Sequence, residues 1–166
     1  MFSGQFQTTV DPDIGPNVLS GKVTGLAVLD PTEKTPAGER SMLLETGDPF
    51  NIRLRWELFG PSVWVVGGYW HVQAFIASID GTNPPGCGPL GSSVSIPVAI
   101  TGDPTKFEYV FTVPGTTITQ DGLYQITAVI NHTPSGAAAT STSYTEMVGF
   151  AESGPVKFTT TLAESN

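Results

Sequence analysis

Two histidines, His71 and His132, are the first residues to weigh for chemistry. An imidazole works as a base or a metal ligand only beside partners: a nucleophile and an orienting carboxylate, or further donor atoms. The chain has no Gly-x-Ser-x-Gly elbow and no His-x-x-x-His spacing. Both histidines are therefore expected as exposed polar side chains. The best acid–base pair on offer is His71 with Glu57, thin support for an enzyme, and no catalytic residue is assigned. Four aspartates, Asp30, Asp48, Asp80 and Asp121, stand in "LDPT", "TGDP", "IDGT" and "QDGL", where each suits its own turn. The single cysteine, Cys87, cannot form an internal disulfide and has no basic neighbourhood to activate it. No cofactor and no resident metal is expected. Asn131 opens an "NHT" glycosylation sequon, which matters only in a secreted chain.

The other candidate chemistry is apolar. "PSVWVVGGYWHVQAFIASI", residues 61–79, contains no charged residue. It nearly reaches the ~20 residues of a membrane span. Gly67-Gly68 interrupts it, polar residues dot it, and β-formers dominate it. The preceding "FNIRLRWEL" alternates Ile52, Leu54, Trp56 and Leu58 with Asn51, Arg53, Arg55 and Glu57. Period two is a half-buried strand. The stretch is thus read as two antiparallel strands joined by the long apolar connection "FGPSVWVVGG". On the second strand Trp70, Val72, Ala74 and Ile76 share one face, and Tyr69, His71, Gln73 and Phe75 share the other.

The same reading extends along the chain. Residues 1–20 form an extended arm, 21–162 one domain and 163–166 a tail. Strands are expected at 22–30, 93–101, 106–114, 122–132, 143–150 and 155–162, with 41–46 as a short strand or a switch between sheets. Pro97 marks an edge, because proline cannot donate to a ladder. No segment has a helical period. Many short strands joined by Gly- and Pro-rich turns point to an all-β antiparallel sandwich of about eight or nine strands.

"QDGLYQITAVI" resembles the tyrosine corner of immunoglobulin-like Greek-key sandwiches, with Tyr124 bonding back to backbone across the corner. The resemblance puts Ile126 and Ile52 or Leu54 where antibody domains carry paired cysteines, and makes Trp70 the buried strand-C tryptophan. "TGDPFNIRLRW" is similar to the strand-B entry of many bacterial immunoglobulin-like domains. The likeness implies that Asp30, Asp48, Asp80 and Asp121 gather at one end, where carboxylates could hold calcium. It places Val63, Trp64, Val65 and Val66 at the other end, beside "HTPSGAAATSTS".

Charge narrows the partners. With 7 basic and 15 acidic residues the net charge is −8, and the basic residues are scattered. That disfavours nucleic acid and anionic membrane surfaces. No secretory signal is visible, so a cytoplasmic location is expected. The expected function is a non-catalytic protein-interaction or assembly module, a structural component that self-associates as a homo-oligomer. Val63–Val66 would supply the anchor, and the arm or the closing strands would pair with a neighbour's sheet. The alternative is a small-ligand or carbohydrate-binding sandwich using Trp64, Tyr69 and His71.

Overall fold

Strict alternation in "FNIRLRWELF" becomes a ten-residue strand with every second side chain buried, from Phe50 to Leu58. The same rule builds the rest of the molecule. The computed structural model describes residues 7–8, 19–31, 43–81, 84, 86–133 and 147–160. These hold β1 (Gln7–Thr8), β2 (Ser20–Leu29), β3 (Leu43–Glu45), β4 (Phe50–Phe59), β5 (Tyr69–Ser78), β6 (Gly88–Pro89), β7 (Val94–Pro97), β8 (Thr105–Val113), β9 (Gly122–Thr133) and β10 (Met147–Thr159). The strands exceed the sequence expectation because β1 and β6 are two-residue pairings too short to show a period.

Two sheets face each other. One runs β2-β4-β8, and the other runs β1-β10-β9-β5-β6, with β7 also on β5 and β3 on β10. β4 and β5 are consecutive but lie in different sheets, as an immunoglobulin-like Greek key requires. Within 41–46, read as a short strand or a switch between sheets, the described Leu43–Glu45 is both: a three-residue strand that leaves the sheet of β2 and pairs parallel to β10. Pro97 does end an edge strand, β7. Among the described residues no helix is long and apolar enough to cross a membrane. Pro61–Ile79 is instead a 3₁₀ turn followed by β5.

Two expectations are corrected. Residues 143–150 and 155–162 do not form separate strands, because 147–159 is one strand with an irregularity between Glu152 and Pro155. Gly154 takes a left-handed φ of 76° and lets the strand bulge rather than reverse. The buried Ser153 hydroxyl bridges the gap, accepting from Ile126 N at 3.1 Å and donating to Gly154 O at 2.7 Å. Second, the arm's described residues pair with their own chain, Gln7 against Val148 and Thr8 against Met147. The rest of the arm, residues 134–146 and the tail lie outside the described residues.

The core lies between the sheets and includes Ile52, Leu54, Trp56, Trp70, Tyr124 and Ile126, each at most 1% exposed. Trp56 meets Trp70 edge to face at 5.9 Å and stacks on Phe107 at 5.6 Å. At the other end Tyr124 packs edge-on against Phe158, which packs edge-on against Phe50. The Tyr124 hydroxyl donates to the Gln120 carbonyl at 2.9 Å, which is the tyrosine corner. Burial pushes the phenol's pKa up, and Cys87, Asp80 and Asp121 add to the shift, so it stays a donor. Tyr124→Phe removes this buried bond and is expected to cost about 1–3 kcal/mol. Urea unfolding of the two proteins measures it, and equal midpoints would mean that the corner contributes nothing.

Candidate binding site at the turn between β4 and β5

The apolar connection divides its side chains by geometry. Gly60 leaves β4 with φ 116°, and its N–H donates to Asp103 Oδ1 at 2.8 Å. Pro61 opens the 3₁₀ turn Pro61–Val65, where its fixed φ is already suitable. Val63 N bonds Gly60 O and Val66 N bonds Val63 O, each at 3.1 Å. With three residues per turn, one side chain points in while its neighbours point out. Val63 is fully buried, Val66 is half-buried against the core, and Trp64 and Val65 stand 62% and 84% exposed. The four-residue anchor read from the sequence is therefore two surface residues on a buried peg.

Backbone bonds hold the far side of the turn as well. His132 Nε2–H donates to the Gly67 carbonyl, and Val98 N donates to the Gly68 carbonyl at 3.0 Å. His132 is 1% exposed and sits edge-on to Trp70 at 5.2 Å. It is thus a structural clamp and not an exposed polar group. The signal was present, since the alternation Tyr124, Ile126, Ala128, Ile130 carried one step further puts His132 inside.

His71 is also corrected from exposed to buried, at 2%. It lies on the outer face of its sheet, opposite Asn131 on β9 and Ser95 on β7. Its Nδ1 meets Ser95 Oγ at 2.9 Å and its Nε2 meets Thr133 Oγ1 at 2.7 Å. Both ring nitrogens are occupied, so His71 does not join Trp64 and the half-buried Tyr69 in an open platform. Glu57 lies on the outer face of the other sheet, bonded to Lys22 at 3.2 Å, so the sandwich separates it from His71.

The aspartates divide similarly. Asp80 and Asp121 flank Tyr124, and each accepts a hydroxyl bond, from Ser78 and from Thr160 respectively. Asp30 is buried at the end of β2, and Asp48 sits in the turn before β4. Among the described residues no three His, Cys, Asp or Glu side chains form a metal-binding group. Cys87 is half-buried beside a cleft of about 560 Å³ lined by Leu90, Thr112, Thr116, Thr117 and Thr119. Gly86 permits that loop packing, for a Cβ there would lie 1.9 Å from the Thr117 carbonyl oxygen.

The fold defines an immunoglobulin-like β-sandwich domain. The crystal structure of the C-terminal domain of Wzt is similar, with a TM-score of 0.53 and 12% identity over 86% of this chain and 75% of that one. At that identity the likeness speaks for the fold alone. A CARDB domain from Pyrococcus furiosus, solved with di-metal ions, gives a TM-score of 0.39 at 12% identity, over 81% of this chain and 88% of that one. A β-glucosidase from Listeria innocua, solved with glucose, gives 0.43 at 10% identity, over 84% of this chain but 16% of that one. Scores this low carry no argument. No protein-family model matches the chain, and no curated protein matches it in sequence.

The buried His71 imposes a pH dependence. Burial lowers its pKa, and the nearby His132 lowers it further. The unfolded chain then takes up its proton first, near the ordinary value of about 6.5. Stability is complete above that pH, falls as pH drops through it, and levels off once the folded imidazole protonates. His71→Gln should flatten the fall in urea midpoint between about pH 7 and 5. An unchanged slope would assign the acid sensitivity to other groups.

Proposed function

We propose that this chain is a non-catalytic protein-interaction module that docks through Trp64 and Val65 and assembles with copies of itself. The observation behind this reading is a tryptophan and a valine, 62% and 84% exposed, on a turn whose backbone is fastened at both ends. Tryptophan is enriched among residues that dominate interface energetics. A turn already locked in shape loses little further entropy on docking, so more of the contact energy becomes affinity. Val63 and Val66 hold the turn on the core, which lets Trp64 face a partner without local unfolding. The chain's charge of −8 opposes self-association at long range, so added salt should favour assembly.

Sedimentation across a hundredfold range of concentration tests the proposal. A discrete oligomer is expected, and Trp64→Ser should raise its dissociation constant about thirtyfold while leaving the melting temperature of the monomer unchanged. Val63→Ala should instead cost about 2 kcal/mol of folding stability, because it empties a core site. A monomer at every concentration, for the unaltered chain, would overturn the assembly reading.

A further inference from the structure

The four lateral edges of the two sheets are not treated alike. The outer edge of β10 is covered at both ends, by β1 at Met147–Val148 and by β3 at Lys157–Thr159. The outer edge of β5 carries β7 at Tyr69–Val72 and β6 at Phe75–Ile76. β2 has no strand beyond it among the described residues, but its register with β4 breaks between Val23 and Gly25, and such a bulge twists an edge away from pairing. β8 differs from all three. It pairs with β4 over nine consecutive residues, Thr105 to Val113, without a shift, and no strand among the described residues lies on its other side. A long, regular edge is a template for another strand.

One charge that would guard such an edge is drawn back into the sheet, since Glu108 accepts from Arg55 Nε at 2.6 Å. Lys106 is exposed and is the one basic residue on the strand. The inward side of β8 keeps two aromatics, Phe107 and Tyr109, only half-buried.

We infer that β8 pairs antiparallel with β8 of a second copy across a two-fold axis at Tyr109, joining the two three-stranded sheets into one. This rests on the assembly reading and adds to its Trp64–Val65 anchor a main-chain contact between two copies. Tyr109 is the midpoint of Thr105–Val113, so this register engages the whole strand. It sets Phe107 against the partner's Phe111, Tyr109 against the partner's Tyr109, and Lys106 against the partner's Thr112. Glu108 meets the partner's Val110, and no like charges are opposed. Pro104 and Pro114 bracket the strand, so the ladder stops where the backbone lacks a donor. The pairing is isologous and therefore closes as a dimer.

Val110 is 39% exposed and faces outward, so it can be replaced without disturbing the core. Val110→Glu would meet the partner's Glu108 twice per dimer, and Val110→Lys would meet it favourably. Within one chain the position lies opposite Arg53, so the same two variants affect folding with the opposite sign. In sedimentation Val110→Glu should weaken the dimer about tenfold and Val110→Lys should tighten it a few-fold, from cross-strand charge pairs. If neither variant changes the dissociation constant while Trp64→Ser does, the β8 pairing is wrong and the assembly reading stands. If the unaltered chain and Val110→Lys are both monomeric at every concentration, both are wrong.

Discussion

The contact between Trp56 and Trp70 is the joint on which the rest of the molecule turns. These rings sit on consecutive strands in opposite sheets and meet edge to face at 5.9 Å. Phe107 from β8 touches both, stacked on one and edge-on to the other. Such pairs contribute roughly 0.5–1.5 kcal/mol each beyond the area they bury. They also offset a local cost, since Trp56 Nε1 is buried with no hydrogen-bond partner among the described residues. On its other side Trp70 packs against His132, whose imidazole holds the Gly67 carbonyl. One cluster therefore closes the two sheets, positions β8 and fixes the turn that presents Trp64.

The tyrosine corner performs the matching task at the opposite end. Tyr124, Phe158 and Phe50 form a chain of edge-to-face contacts that crosses from one sheet to the other. With both ends pinned by aromatics, the sandwich needs no disulfide, and Ile52, Leu54 and Ile126 fill the space between. The two outer faces then diverge. One carries the ion pairs Lys22–Glu57 and Arg55–Glu108. The other leaves Phe75, Val148 and Phe150 partly exposed. Surface ion pairs contribute little stability, so the charged face is better understood as keeping that side of the molecule soluble.

Much of this was legible in the residues, and for a stated reason. Side chains alternate across a strand with period two, so "FNIRLRWEL" and "GLYQITAVI" disclose both their conformation and their buried faces. Tyr124 and Trp70 could be placed because a corner and a strand-C tryptophan carry local signatures. The bulge in β10 could not be placed, since "ESGP" suits a turn and a bulge equally and only pairing with β9 decides. Nor could the burial of His71, which depends on Ser95 and Thr133, residues 24 and 62 positions away.

The chain by itself determined the all-β class, the alternation of its long strands and the aromatic anchors, because these follow from local spacing and side-chain type. Tertiary structure decided what local spacing does not encode. It put Val63 inside and Trp64 outside, made His132 a clamp, set Glu57 and His71 on opposite faces, and left β8 as the unblunted edge among the described strands. Each of these depends on which distant backbone comes to lie alongside, and that is settled only when the two sheets close on their shared core.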